Sequence, residues 1–279
     1  MIPKIKLGDV EISRLIIGGN PISGNSHVSS ELNEEMEEYF TVENIKKTLF
    51  RCMECGINTM LLRSDRHIFR MMREFRRAGG DMHWIAQTAP EMISFEGNIW
   101  QIMRNRPAAI YLHGSDTDSL FMDGNYDEIK RRLGVIKRTG KSTGLCTHMP
   151  QVIEYAEEHN WDVDFYMASV YNLSRRRRIS SAITGKANEG ELFVDEDRAL
   201  MYKAVRMTEK PCLVFKILGA TRRCGSYEEV RSSFVEAFNN MKPVDAVVVG
   251  MFPKYKDQVY ENACIVDEIA KGCGAGDGK

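Results

Sequence analysis

Residues 109–113 read Ala-Ile-Tyr-Leu-His, a short apolar run that ends in a histidine. Seven further short runs of this kind occur along the chain, at residues 15–18, 57–62, 83–87, 142–146, 163–168, 212–216 and 246–250. Several of the runs are rich in Val, Ile or aromatic residues, which is typical of strands buried on both faces. The sequence therefore predicts eight short strands of a parallel sheet.

Segments with helical spacing separate the predicted strands. One begins at Thr41, a good N-cap residue, and others cover residues 149–159, 195–209 and 226–241. Strands that alternate with helices pair in parallel, and eight repeats favour closure into a (β/α)8 TIM barrel; a doubly wound open sheet is the alternative. We predict an α/β fold with one barrel domain over residues 1–272 and a flexible tail over residues 273–279.

Three further segments interrupt the regular pattern. Residues 4–13 alternate around a Gly-Asp turn, which predicts an N-terminal β-hairpin that closes the bottom of the barrel. Residues 19–40 form a long insertion with an acidic helix over residues 31–38, and residues 174–194 form a second long loop. Loops of this length are often functional, so we expect the second to cover the top of the site.

The overall composition excludes several classes of partner. Lys plus Arg (38) and Asp plus Glu (39) nearly cancel, so no global field favours nucleic acid or an anionic membrane. The basic run at residues 175–178 has no interleaved aromatic residues and is predicted to be a solvated loop. No signal peptide or membrane span is evident, and an odd, scattered set of seven cysteines is typical of reduced thiols. We predict a cytoplasmic protein with a small-molecule substrate, and nothing in the sequence fixes an oligomeric state.

Five short motifs, in order along the chain, resemble those of the aldo/keto reductases. They lie at residues 7–18, 54–58 (Glu-Cys-Gly-Ile-Asn), 110–113 (Ile-Tyr-Leu-His), 170–173 (Val-Tyr-Asn-Leu) and 249–262. The resemblance implies a (β/α)8 barrel that uses NADP or NAD to reduce a carbonyl or sugar-like substrate. The likeness extends over nearly the whole chain.

The resemblance does not extend to most of the family's catalytic residues. Those enzymes use Asp, Tyr, Lys and His, and only the histidine is retained here, as His113. Leu61 and Ala89 occupy the positions of the Asp and the Lys, and the Tyr position falls near Arg66 or His67. We therefore expect any reduction by this protein to use a different proton donor.

Polar residues that follow the predicted strands are the candidates for chemistry, because the carboxyl ends of barrel strands face a common site. The candidate catalytic residues are His113, His67, Lys216, Tyr171 and His148. A lysine inside an apolar strand could transfer a proton or form a Schiff base, whereas at the strand's end it could simply pair with an acidic group or a ligand phosphate. The histidines could equally be hydrogen-bonded residues of the rim.

The loops after the seventh and eighth predicted strands are the candidate cofactor site. Phosphate commonly binds there in barrels, and these loops carry the cations Arg222, Arg223, Lys254 and Lys256. The resemblance adds Gln258 and Asn262, which match positions that contact the adenine in the family. The alternative for the four cations is that they are solvated surface residues.

Three functions remain open at this point. The first is a divergent NAD(P)-dependent oxidoreductase, and the second is a non-catalytic ligand-binding descendant of the same family. The third is a metal-assisted isomerase or lyase, in which His113 and His148 would bind a divalent metal with Asp65 or His67. No sequence motif predicts a resident metal.

Overall fold

A computed structural model of the chain describes residues 1–177, 181–184 and 191–272. Eight parallel strands close into a barrel, in which each strand pairs with the next along the chain and the last pairs with the first. The predicted (β/α)8 TIM barrel is confirmed. Its strands are β3 (Leu15–Gly18), β4 (Thr59–Arg63), β5 (His83–Gln87), β6 (Ala109–Leu112), β7 (Ser142–Thr147), β8 (Phe165–Ser169), β9 (Cys212–Phe215) and β10 (Ala246–Gly250).

Helices surround the barrel. They are α1 (Ser30–Tyr39), α2 (Val42–Glu54), α3 (Arg66–Arg77), α4 (Phe95–Arg104), α5 (Gly114–Met122), α6 (Tyr126–Lys137), α7 (Pro150–Glu158), α8 (Ser181–Thr184), α9 (Glu196–Met207), α10 (Tyr227–Asn240) and α11 (Gln258–Ala270), with a 3-10 helix at Pro21–Ser23. Side-chain caps fix several starting points: Thr41, Asp65 and Ser226 each accept a hydrogen bond from a backbone N–H of the first turn. Capping residues are local signals, which is why the sequence locates these helix starts well.

The predicted N-terminal hairpin is present as β1 (Lys4–Leu7) and β2 (Val10–Ser13), paired antiparallel. Its apolar residues Leu7 and Ile12 are buried against the inward side chains at the lower end of the barrel, including Ile85 and Phe165. The hairpin therefore closes the bottom of the barrel, opposite the carboxyl ends of the strands.

Two strands begin later than predicted. β4 begins at residue 59 rather than 57, and β8 begins at residue 165 rather than 163. In both cases the residue just before the strand uses its side chain to bond backbone: Asn58 Oδ1 accepts from the Ser13 N–H at 2.7 Å, and Asp164 Oδ2 accepts from the Thr143 N–H at 2.8 Å. These side-chain hydrogen bonds take the place of the backbone hydrogen bonds between strands just before β4 and β8 begin.

The insertion at residues 19–40 lies over the carboxyl ends of the strands. Its helix α1 is joined to the loop after β10, where Lys254 Nζ donates to Glu35 Oε1 at 2.7 Å and the Tyr255 hydroxyl donates to the same carboxylate. Behind this contact the rings of Tyr39 and Phe252 meet edge to face with centroids 5.3 Å apart. The second long loop, at residues 174–194, is described only in part, and the tail at residues 273–279 lies outside the described residues.

Within the described ranges, every helix is too short or too polar to cross a membrane.

Candidate active site

A cavity of about 440 Å³ opens at the carboxyl ends of the barrel strands. Its volume falls within the usual range for small-molecule sites. Inward side chains of the barrel form its floor and the insertion forms part of its wall. The barrel residues that line it include Arg63, Gln87, Tyr111, His113, Cys146, His148, Met167, Phe215, Lys216 and Val248.

The two-residue period of a strand explains which histidines enter the cavity. Inward residues of β6 are Ala109 and Tyr111, so the next inward position is 113; in β7, Cys146 is followed in the same way by position 148. His113 and His148 therefore extend the inward rows of two neighbouring strands into the cavity. The structure brings together these two candidates, as their positions after apolar runs suggest.

His113 has a defined hydrogen-bonding role. The backbone N–H of Ser115, in the first turn of α5, donates to Nδ1 of His113 at 3.2 Å. A nitrogen that accepts a hydrogen bond carries no proton, so neutral His113 carries its proton on Nε2. The imidazole therefore offers the cavity an N–H donor.

His148 has the opposite arrangement. Its Nδ1 lies 2.8 Å from Oδ2 of Asp118, and both side chains are buried. Burial tends to raise the pKa of Asp118, but the hydrogen bond from His148, the positive charge of His148 when it is protonated, and hydrogen bonds from Ser174 and Thr147 outweigh it and hold the pKa below its usual value. Asp118 is therefore a carboxylate that accepts the proton of Nδ1, which leaves the lone pair of neutral His148 on Nε2.

Asp118 was missed by the sequence analysis. It lies in α5 in the run Gly-Ser-Asp-Thr-Asp, and only the helical spacing shows that Asp118 falls on the buried face with Gly114 and Thr117. Its neighbour Asp116 instead forms an ion pair with Arg132, whose Nη1 lies 2.9 Å from Oδ2. The four-residue spacing from Gly114, which puts Asp118 on the same helix face, is the signal that could have selected it.

The cavity is also lined by a neutral polar residue, Tyr111, and a charged one, Arg63. Tyr111 is fully buried and hydrogen-bonds with Gln87, and burial raises the pKa of its hydroxyl well above the ordinary value. Arg63 forms ion pairs with Glu91 and, more distantly, with Asp65. Tyr111 is therefore neutral at physiological pH, and the charge of Arg63 is compensated within the wall.

Lys216 also lines the cavity and is bonded to the insertion. Its Nζ lies 2.8 Å from Nε2 of His27, and Nδ1 of His27 lies 2.6 Å from Oε2 of Glu191. The amide nitrogen of Asn20 also approaches Nε2 of His27, at 3.2 Å. Three segments that are distant in the sequence thus meet at His27, which the sequence analysis missed because nothing in the insertion loop distinguishes it.

Backbone strain is concentrated at the same place. His27 has φ of 59°, Lys216 of 64°, Ala220 of 49° and Thr221 of 77°. Residues other than glycine rarely adopt positive φ, and each such residue costs of the order of 1–3 kcal/mol unless its surroundings enforce it. All four residues line the cavity. At Lys216 the left-handed conformation also interrupts the alternation of inward and outward side chains along β9. The inward position is 215, so a regular strand would direct residue 216 outward.

The candidate cofactor residues divide into two groups. Lys256, Gln258 and Asn262 line the cavity; Gln258 Oε1 accepts from the Phe252 N–H at 2.8 Å, and Asn262 is buried. Arg222, Arg223 and Lys254 are absent from the lining.

Each of the three cations outside the lining has a partner in the protein. The guanidinium of Arg222 stacks over the ring of Phe193, 3.8 Å from its centroid. Arg223 pairs with Glu236 at 3.1 Å, and Lys254 pairs with Glu35. The expected cluster of four phosphate-binding cations is therefore not assembled in the described part of the chain.

Two candidate catalytic residues lie elsewhere. His67 is exposed in the first turn of α3, outside the lining of the cavity. Tyr171 is buried beneath the loop after β9, where its hydroxyl donates to Asp195 at 3.1 Å. In the basic run, Arg175 and Arg177 form ion pairs with acidic side chains, and Arg178 lies outside the described residues.

The metal hypothesis required a third ligand beside the two histidines. Asp65 caps α3 by accepting from the Ile68 N–H at 2.9 Å, and His67 is exposed and is not among the residues that line the cavity. Across residues 1–177, 181–184 and 191–272, no group of three or more His, Cys, Asp or Glu side chains could hold a metal ion. The ligand set proposed from the sequence is therefore not brought together.

Solved structures with the same fold cover nearly the whole chain. The truncated 3-deoxy-D-arabino-heptulosonate 7-phosphate synthase from Thermotoga maritima is 16% identical, with 98% of this chain and 93% of that chain covered and a TM-score of 0.57. Gox0644 in its apo form is 10% identical, with coverage of 100% and 97% and a TM-score of 0.58. N-acetylmannosamine-6-phosphate 2-epimerase from Clostridium perfringens is 11% identical, with 92% of each chain covered and a TM-score of 0.52. At these identities the likeness shows the fold.

No protein-family model and no curated protein sequence matches the chain.

Proposed function

We propose that this chain is a barrel enzyme that moves a proton on the carbon beside a carbonyl group, in the manner of an isomerase or lyase. His148 is the general base, and His113 is the donor that stabilises the carbonyl oxygen. The observation that carries the proposal is the pair of imidazoles in one cavity with opposite tautomers, fixed by Asp118 and by the Ser115 N–H.

The proposed step follows from these tautomers. Nε2 of His148 takes the proton from the carbon, the C–H electron pair forms a C=C bond, and the carbonyl π pair moves to oxygen. The resulting oxyanion accepts a hydrogen bond from Nε2–H of His113, while Asp118 stabilises the imidazolium. Return of the proton to the same carbon from the opposite face inverts that carbon. In an α-hydroxy carbonyl compound the oxyanion takes the Nε2 proton of His113, the hydroxyl on the α-carbon gives its proton back to His113, and return of the carbon-bound proton to the former carbonyl carbon gives the isomer.

The surroundings favour this chemistry. Met167 and Phe215 are apolar walls of the cavity, and the Phe215 ring contacts the His148 ring with centroids 5.6 Å apart. Apolar walls lower the local dielectric, which strengthens the hydrogen bond to a developing oxyanion. One structurally similar protein is named as a 2-epimerase, and epimerisation is an isomerase reaction rather than a hydride transfer.

Solvent exchange tests the proposal directly. Purified protein in D2O is incubated with a panel of hydroxyaldehydes, hydroxyketones and their phosphate esters, and loss of the α-proton signal is followed by 1H NMR. We expect exchange with at least one compound, slowed about 10²–10⁴-fold in His148→Asn and about 10²-fold in His113→Leu.

The matched control is His67→Asn, which removes a rim imidazole that does not line the cavity. We expect this variant to exchange at the rate of the wild type. Exchange that survives His148→Asn, or no exchange above the buffer rate with any compound, contradicts the proposal.

A second candidate is NADP- or NAD-dependent reduction of a carbonyl, as the aldo/keto reductase resemblance implies. The specific observation in its favour is the lining of the cavity, which includes Lys256, Gln258 and Asn262 as well as His113. In this case Nε2–H of His113 would donate to the carbonyl oxygen that becomes the alcohol, and the nicotinamide would supply the hydride.

Fluorescence titration with NADPH and NADH separates the two candidates. If a dinucleotide occupies the cavity, Asn262→Leu should weaken binding about tenfold, since a lost hydrogen bond is worth about 1 kcal/mol or slightly more. Lys203→Met, on the exposed face of α9, is the control. No saturable change with either nucleotide removes this candidate and leaves proton transfer.

A further inference from the structure

We propose that Lys216 is the amine nucleophile of the cavity: it forms a Schiff base with a carbonyl substrate, with His27 as its proton acceptor and Glu191 orienting His27. This inference deepens the proposed function and rests on it, because the substrate is the same carbonyl compound. It gives the cavity a second set of functional groups, from the end of β9 and the insertion.

The hydrogen bonds fix the direction of proton transfer. The ammonium of Lys216 has donors only, so in that form the 2.8 Å contact makes Nε2 of His27 the acceptor. The imidazole proton then lies on Nδ1, where it is donated to Glu191 at 2.6 Å. A nucleophile hydrogen-bonded to a base that is itself oriented by a third group is the arrangement that activates nucleophiles in covalent catalysis.

Burial strengthens this arrangement. The side chain of His27 is 12% exposed and that of Glu191 is 5% exposed, so little water screens the carboxylate from the imidazole. Glu191 therefore favours the imidazolium that forms when Lys216 gives up a proton.

Strain provides an independent argument. His27 and Lys216 are the two partners of the central hydrogen bond, and both adopt positive φ, at 59° and 64°. Side chains larger than glycine occupy this region only where the surroundings enforce it, and such outliers cluster at functional sites. Without its left-handed backbone Lys216 would follow the strand phase and project out of the barrel, because the inward position of β9 is Phe215.

Lys216 and the proposed base have a common neighbour, the Phe215 ring. Nζ of Lys216 lies 5.8 Å from the centroid of that ring, and the His148 ring centroid lies 5.6 Å from the same point. Both groups line one cavity, as they must if His148 is to take a proton from a substrate bound to Lys216.

The step balances in atoms and charge. The ammonium of Lys216 gives one proton to His27, and the amine lone pair then forms a C–N bond as the carbonyl π pair moves to oxygen, which takes that proton. A second nitrogen proton passes through His27 to the hydroxyl, the C–O bond breaks, and water leaves. An ammonium and a carbonyl thus give a protonated imine and water. The imine nitrogen, in place of the carbonyl oxygen, is the electron sink for proton removal by His148, and the donor His113 acts on that oxygen only until it leaves as water.

Hydride trapping tests the inference on the unmodified protein. Glycolaldehyde, glyceraldehyde and dihydroxyacetone are each added with cyanoborohydride, and the adduct is located by peptide mass spectrometry. We expect the reduced adduct at Lys216 and little at Lys256, which lines the same cavity but pairs with Glu261 at 2.7 Å. Labelling of Lys256 or of surface lysines as fast as Lys216 overturns the inference.

Variants then test the proton relay. Trapping should be abolished in Lys216→Arg and slowed about 10²-fold or more in His27→Gln, because a general base contributes that much. The trapping rate of His27→Gln should rise more steeply with pH than that of the wild type, since deprotonation then depends on solvent hydroxide. A uniform loss at all pH values, together with a lowered melting temperature, would show a purely structural role and overturn the relay.

Measuring both proton exchange and hydride trapping in the same variants separates this inference from the proposed function. His148→Asn should lose proton exchange but keep trapping at Lys216. Trapping without exchange in the wild type would retain Lys216 as the nucleophile and contradict the proton-transfer function. Exchange that depends on His148 but proceeds unchanged in Lys216→Arg, with no trapped adduct, would overturn the Schiff base and keep the proton-transfer function.

Discussion

Nη1 of Arg198 donates a hydrogen bond of 3.1 Å to the carbonyl oxygen of Ile217, the residue that follows Lys216. The same nitrogen lies 3.1 Å from the Tyr171 hydroxyl, and Nε donates to Glu236 at 2.7 Å. Arg198 is buried, so it is a fixed support beneath the loop after β9. The left-handed conformation of Lys216 is thus held by a charged residue of α9 that never reaches the cavity.

Replacing this support should destabilise the protein. Removing one partner of a buried ion pair costs about 3–5 kcal/mol, and we expect Arg198→Met to lie near the lower end because Glu236 keeps its contact with Arg223. Urea unfolding at neutral pH measures the effect. Arg206→Met, on the exposed face of the same helix, should change stability by less than about 0.5 kcal/mol; equal losses in the two variants would contradict the assignment.

Tyr171 should be a structural residue rather than a catalytic one. Tyr171→Phe removes the hydroxyl that contacts Asp195 and Arg198, which should lower the free energy of unfolding by about 1 kcal/mol. The proton-exchange rate should stay unchanged, because the side chain is not part of the cavity lining. A rate loss as large as that of His148→Asn would show that Tyr171 reaches the substrate.

Asp118 should make stability depend on acid pH. Its folded-state pKa lies below the ordinary 3.8, so its contribution to stability is fully present above that value and is lost as the pH falls through the folded-state pKa. Asp118→Asn lacks this contribution at every pH. The difference in unfolding free energy between wild type and variant should therefore be largest near pH 7 and shrink below pH of about 4.

The exposed hairpin residue Asp9 provides the comparison for that measurement. Asp9→Asn should run parallel to the wild type through the same pH range. A difference between wild type and Asp118→Asn that stays constant with pH would mean that Asp118 is not ionised in the folded protein.

Relief of backbone strain predicts a stabilising substitution. Thr221 is β-branched and has φ of 77°, which glycine adopts without steric cost. Thr221→Gly should raise the free energy of unfolding by about 1 kcal/mol, since strain relief of about 1–3 kcal/mol exceeds the entropy cost of glycine. Thr41→Gly, at φ of −60°, should instead be neutral or slightly destabilising when both are measured by urea unfolding. A loss of stability in Thr221→Gly would argue against strain at this position.

The sequence by itself determined the barrel and the positions of two site residues. Short apolar runs and local helix caps depend on neighbours in the chain, and they predicted the closed barrel and its N-terminal hairpin. His113 and His148 could also be predicted as site residues. Each directly follows an apolar strand whose carboxyl end faces the common site. The sequence could not predict the surroundings of the four cations proposed to bind phosphate. A loop sequence does not show which acidic side chains its cations will pair with in the folded protein.

Only the tertiary structure decided how those residues are used. Asp118 is 30 positions from His148, His27 is 189 positions from Lys216, and Glu191 is 164 positions from His27. No local pattern encodes such pairs, because closure of the barrel and the fold of the insertion bring the segments together. The tautomers of the histidines, the strained backbone of Lys216 and the compensation of Arg63 all depend on these distant contacts, and so does the chemistry that the cavity can perform.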